Sequence, residues 1–238
     1  MNKLKLSVSS ALLIIFFLSG SLCQAGEKSK LVDNLEAGKA QTVVTYGTSL
    51  TAGGAWVNQL REALKSRYPG KAEVVNSGKS SMWSKWGMDN LDERVIKKNP
   101  DTVLIEFAMN DAYLSYKTSV QQAQSNLDNM IERILKSNPK CEIVLMVMNP
   151  PVGVHLERRP KVEDYYQMYR DVAKARKLLL IDHYPNWEKI LNEDPELFKK
   201  YVPDGIHPGP EGCKIVIFPE IIKALGIEAE QKDSEVKR

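Results

Sequence analysis

The chain has 238 residues, with 33 Lys and Arg against 30 Asp and Glu and a formal charge of +3. So even a balance leaves no electrostatic footprint for a nucleic-acid partner, and none is expected. Its three cysteines and three histidines form no cluster of metal-site spacing, so no metal is expected either.

In chain order, the first segment reads as a leader. Lys3 and Lys5 precede a largely apolar stretch, Leu6 to Leu18, and Cys23-Gln24-Ala25 ends in the small residue that signal peptidase requires. The fully apolar part, Ala11 to Leu18, is well short of the roughly 20 residues that span a bilayer. Residues 1–25 are therefore expected to be a cleaved signal peptide, leaving no stable membrane anchor, and the protein is expected to be exported, periplasmic or secreted. Acylation at Cys23 is disfavoured by Leu22, which stands where a small residue belongs. Without the leader the charge count is 31 against 30. Residues 26–238 are expected to form a single domain, with a charged, frayed tail from about Glu228.

Five apolar, β-rich runs follow: Thr42 to Tyr46, Ala72 to Val75, Thr102 to Phe107, Glu142 to Met148 and Leu178 to Ile181. Between them apolar residues recur at helical spacing, as in Val57, Leu60 and Leu64, in Met88, Leu91 and Val95, and in Leu127, Ile131 and Ile134. Further helices are expected over Val162 to Lys177 and from about Glu211 to Leu225. Strand alternating with helix implies an α/β fold, a mostly parallel sheet covered on both faces. Cys141 would start a strand, and Cys213 would lie beyond the opposite end of the sheet. That separation is roughly 20 Å at about 3.3 Å per residue, whereas a disulfide needs Cα atoms within about 7 Å, so both are expected as free thiols.

In open parallel sheets ligands bind beyond the carboxyl ends of the strands, so the strand exits matter most. Gly47-Thr48-Ser49-Leu50 follows the first strand, Asn76 to Ser81 the second, and Asn110-Asp111 the third. A serine before a helix more often serves as a cap than as a nucleophile. What alters that reading of Ser49 is Asp204-Gly205-Ile206-His207 near the far end of the chain. A serine hydroxyl attacks only when an imidazole removes its proton, and the imidazole needs a carboxylate to fix its tautomer.

Here the sequence resembles the SGNH (GDSL-like) hydrolases over most of its length. The G-D-S-L block is matched by Gly47 to Leu50, N-x-G-x-x-G by Asn76 to Ser81, G-x-N-D by Ala108 to Asp111, and D-x-x-H by Asp204 to His207. The resemblance implies a three-layer α/β/α, flavodoxin-like fold with a mostly parallel five-stranded sheet. It also implies a catalytic triad of Ser49, Asp204 and His207, and an oxyanion hole from the Ser49 and Ser81 amides and the Asn110 side chain, with Gly78 as fallback. No cofactor is implied. Three positions depart from the pattern: Thr48 replaces an acid, and Ser81 and Ala108 replace glycines.

The α/β-hydrolase elbow G-x-S-x-G is excluded, because Thr51 stands at its last glycine. His155, in the loop after the fourth strand, and Trp83 and Trp86, after the second block, are candidate substrate contacts, with loop packing the alternative. His183 beside Asp182 offers a less favoured rival pair. The expected reaction is hydrolysis of short-chain, acetyl-type esters on a small-molecule or polysaccharide substrate, carbohydrate first. Lipid or thioester hydrolysis of lysophospholipase type, or carbohydrate binding without catalysis, are the alternatives.

Overall fold

The computed structural model describes residues 29–227, so the expected leader and tail lie outside the described residues. Five strands, β1 (Gln41–Gly47), β2 (Ala72–Asn76), β3 (Thr102–Glu106), β4 (Glu142–Val147) and β5 (Leu179–Asp182), form one sheet. Their order is β2-β1-β3-β4-β5 and every pairing is parallel. This is the expected three-layer α/β architecture. The central strands are Val-, Ile- and Leu-rich because both their faces are covered; every residue of β3 is buried.

The helices fall into two layers. On one side Ala55–Arg67 packs against Phe218–Leu225 and the turn before it. On the other, Val120–Ser137 packs between Ser84–Asp89 and Val162–Arg176. Val120–Ser137 buries Leu127, Met130, Ile131 and Ile134, a stripe at helical spacing, and Ser119 caps its start by accepting from the Gln122 amide. Three helices of 7 residues or more were not expected from sequence: Lys30–Glu36, Tyr184–Glu193 and Pro195–Tyr201. The first is tied to β4 because Glu142 accepts from the Lys30 and Leu31 amides, at 3.0 and 3.2 Å.

The terminal helix departs from expectation. It begins at Pro210, and a π-helical turn, Cys213–Ile217, precedes the regular part, Phe218–Leu225. Pro219 has no N–H to give to an i−4 carbonyl, and a widened turn lets the helical path reach it without a break. Cys141 and Cys213 are both free and buried, and burial pushes the Cys141 thiol up to about 12. No helix of the described residues is long and apolar enough to cross a membrane.

Strand order reverses between β1 and β3, which opens a crevice beyond their carboxyl ends. The residues leaving these two strands carry Ser49 and Asn110.

Candidate active site

Ser49 opens a short helical turn, Ser49–Ala52, directly after β1. Thr48 holds the turn from two sides: its hydroxyl accepts from the Leu50 amide at 3.1 Å and donates to the Glu106 carboxylate at 3.0 Å. Glu106 also accepts from the Thr48 amide and the Thr51 hydroxyl, both at 2.7 Å. Register brings them together, because Gly47 on β1 pairs with Glu106 on β3. A side chain at Gly47 would collide with the Glu106 and Thr51 oxygens, which is why the close approach needs glycine. An acid at position 48 would have faced Glu106 as a like charge; threonine donates to it instead.

The Asp204–His207 loop is set against the loop after β4. Gly205 adopts φ +84°, which a side chain would strain, and its carbonyl accepts from the Val152 amide at 2.9 Å. Asn149 donates to the Ile206 carbonyl at 3.1 Å. So held, His207 Nε2 lies 2.8 Å from Ser49 Oγ, and His207 Nδ1 lies 2.6 Å from Asp204 Oδ2. The other Asp204 oxygen accepts from the His207 and Ile206 amides at 2.8 and 3.0 Å. Partial burial alone would raise the Asp204 carboxyl, but these hydrogen bonds outweigh it and take its pKa down to about 2. It is therefore an anion at any physiological pH, suited to hold Nδ1 as the protonated nitrogen and leave Nε2 to accept from Ser49.

Asn110 stands at the exit of β3, and both ends of its amide are engaged. Nδ2 donates to the Met82 carbonyl at 2.8 Å, and Oδ1 accepts from Arg159 Nη2 at 3.2 Å. One Nδ2 proton remains for a ligand. Ser81 takes the left-handed conformation, φ +61°, the region that glycine occupies without strain. Its amide, like that of Ser49, donates to no acceptor among the described residues. Ser49, Ser81, Asn110 and His207 all line one cleft of about 190 Å³. The fallback donor, Gly78, is not there. Its amide is already given to Asn76 Oδ1 at 3.0 Å, and its missing side chain makes room for Ala52.

The other candidates divide. His155 lines the cleft, and its pKa is lowered by burial and then by the nearby Arg159. Trp83 stands one layer back, stacked at 4.3 Å on Tyr116, which does line the cleft. Trp86 takes the packing alternative: it lies against Tyr46 and under Arg94, away from the cleft. The rival pair is not formed. Asp182 is bound by Arg170 at 2.7 Å, and His183 is fully buried with neither ring nitrogen partnered, its pKa pushed down to about 3 by burial.

Two groups that brace the cleft were given no individual role from sequence. Glu106 carried a signal, a lone acid within an otherwise apolar strand run. Arg159 carried none beyond its place in a polar loop; it is 7% exposed, lies 4.8 Å from the Tyr113 ring, and donates to the Met109 carbonyl at 2.9 Å.

Glu106 and its neighbour Asp111 have a consequence for stability. Burial raises both carboxyls to about 7, against the opposing hydrogen bonds from Thr51 and Thr48 to Glu106 and from Ser84 to Asp111. Between about pH 4 and 7 the native state therefore keeps protons that the unfolded chain has released, and stability falls as pH rises through that window. Two groups act oppositely. The contribution of Asp204 is lost only as pH falls toward about 2. His183, held neutral by burial, costs stability below its ordinary value of 6.5 that is regained as pH rises, which offsets part of the fall from the two carboxyls but not all of it. Thermal melts should show a lower Tm at pH 8 than at pH 5, and Asp111→Asn should shrink the difference. An unchanged pH dependence in that variant would assign the titration elsewhere.

The family model described as the GDSL-like lipase/acylhydrolase family matches residues 44–215. No curated protein matches the chain. Among solved structures, a lipase/acylhydrolase from Enterococcus faecalis aligns with TM-score 0.65 at 22% identity, over 77% of this chain and 95% of that one. A catalytic mutant of an acetylxylan esterase from Geobacillus stearothermophilus aligns with TM-score 0.67 at 19% identity, over 80% and 96%. A putative GDSL-like lipase from Parabacteroides merdae gives TM-score 0.68 at 16% identity, over 80% and 97%. At such identities the likeness is one of fold. The family model's match, which runs from β1 to beyond His207, is what establishes that this chain belongs to the GDSL-like lipase/acylhydrolase family and is an ester-hydrolysing enzyme.

Proposed function

We propose that the enzyme is an exported serine esterase that removes short acyl groups, acetyl first, from carbohydrate through Ser49, His207 and Asp204. The observation that carries this reading is the unbroken relay from Ser49 Oγ through both His207 nitrogens to Asp204, at 2.8 and 2.6 Å. Ser49 Oγ attacks the ester carbonyl while His207 Nε2 takes its proton. The carbonyl oxygen becomes an oxyanion, met by the Ser49 and Ser81 amides and the free Asn110 Nδ2 proton. As the tetrahedral intermediate collapses, the alcohol leaves with the proton from His207. Water then attacks the acyl-enzyme, giving its proton to His207, and the acid departs as Ser49 regains its own. Arg159, one hydrogen bond behind Asn110, holds the amide and sets a positive charge behind the developing negative one. Hydrolysis of a chromogenic acetyl ester by the wild type, and its loss in Ser49→Ala, is the direct test.

The acetyl and carbohydrate preference draws on the small cleft, on Tyr113 and Tyr116 in its wall, and on the fold shared with an acetylxylan esterase. A second reading, lipid hydrolysis, has its own observation. Leu114, Val154 and Leu156 are 61, 47 and 45% exposed, on the two segments that border the cleft. An octanoyl chain would gain about 0.8 kcal/mol per buried CH₂ if those residues formed a trough. We expect kcat/KM to fall steeply from acetyl to octanoyl esters of one alcohol, and acetylated polysaccharide to release acetate. A preference for octanoyl would replace the carbohydrate reading by the lipid one, with the same three catalytic residues.

A further inference from the structure

The cleft carries more positive charge than hydrolysis of a neutral ester requires. Arg158 and Arg159 both line it, and no carboxylate does. Arg159 is buried, and the acceptors of its guanidinium, the carbonyls of Met109 and His155 and the Asn110 amide oxygen, are all neutral. Its charge is thus oriented but not neutralised. Arg158 is exposed and its guanidinium donates to no acceptor among the described residues. Its backbone, by contrast, is fixed: its amide donates to the Val154 carbonyl at 3.2 Å, and its carbonyl accepts from the Leu114 amide at 3.1 Å. The acid of the relay, Asp204, has both its oxygens engaged by His207 and Ile206. A fixed backbone bearing an unengaged guanidinium, in the same cleft as a second uncompensated one and the nucleophile, is the arrangement that receives an anion.

We propose that the cleft contains an anion subsite centred on Arg158, so that the preferred ester carries a carboxylate or phosphate near the scissile bond. An acidic sugar would present the former and a lipid headgroup the latter. Arg158 then acts on specificity, while Ser49 and His207 act on every ester alike. The subsite rests on the esterase reading for its purpose but not for its detection, since anion binding can be measured without turnover.

The test compares kcat/KM for 4-acetoxybenzoate, 4-acetoxyphenyl phosphate and the neutral 4-acetoxybenzamide in the wild type, Arg158→Ala and Arg158→Glu. Because the intrinsic reactivity of each ester cancels between variants, the readout is the anion-to-amide ratio. We expect that ratio to fall by about tenfold in Arg158→Ala and further in Arg158→Glu, and in the wild type to fall with added salt. The carboxylate and phosphate arms identify the group preferred. Calorimetric binding of 4-hydroxybenzoate against 4-hydroxybenzamide reports the subsite independently of turnover. Selective binding of the anion, lost in Arg158→Glu, supports the subsite even if no ester is cleaved, in which case the esterase reading alone fails. A ratio within twofold of wild type in Arg158→Glu, or equal binding of the two phenols by the wild type, overturns the proposal.

Discussion

Ser49→Ala and His207→Ala should each lower kcat by about 10⁴ to 10⁶ while leaving the fold intact, because nucleophile and base act as one unit and losing either loses both contributions. Neither side chain supports the core: both stand at the open cleft, on turns whose hydrogen bonds are made by Thr48, Glu106, Asn149 and Val152. Unchanged Tm beside lost turnover is therefore the expected pair of results. Asp204 should matter less. Its side chain is 51% exposed, so solvent screens the charge it offers His207, and water can replace part of its orienting role. Removing it should cost fewer decades of kcat than removing His207. Activity within about tenfold of wild type in Ser49→Ala or His207→Ala would remove the assignment, since one decade is only about 1.4 kcal/mol of barrier.

The second large effect is expected at Asn110. Asn110→Ala should lower kcat by about 10² to 10³ with little change in KM, the usual consequence of losing one oxyanion donor that acts in the transition state. Arg159 tests the same assembly from behind. Arg159→Lys keeps the charge but not the forked geometry that bonds the Asn110 and Met109 oxygens together. It should lower kcat by less than Asn110→Ala, again at nearly constant KM, whereas a purely structural role would lower Tm and leave kcat per folded molecule unchanged. Ser81→Ala should be mild, because Ser81 contributes a backbone amide and alanine leaves that amide in place. Damage equal to that of Asn110→Ala would bring the Ser81 hydroxyl into the chemistry.

Much of this architecture was legible in the residues themselves. Continuous Val, Ile and Leu runs mark buried parallel strands, because a strand covered on both faces needs no polar alternation. The 3.6-residue spacing of Leu127, Ile131 and Ile134 marks a helix for the same reason of burial. Less legible were segments whose structure depends on a single residue's missing hydrogen bond. The π-helical turn before Pro219 is one case. The helices Tyr184–Glu193 and Pro195–Tyr201, each with a proline in its first turn, were also less legible, because a proline reads as a break as readily as a helix start.

For the site, the sequence by itself determined which chemical groups are available and in what order the sheet exits present them: a serine after β1, an amide after β3, a carboxylate and an imidazole three residues apart. It did so because strand periodicity and turn chemistry are local, readable within a few residues of the chain. Only the tertiary structure decided what surrounds those groups. Glu106 reaches the Thr48 amide across 58 residues of sequence, and Arg159 reaches Asn110 across 49. Trp83 and Trp86, three residues apart, part company, one backing the cleft wall and the other packed against Tyr46. Such contacts follow from strand register and helix packing, which depend on the whole buried core at once, and no local spacing encodes them.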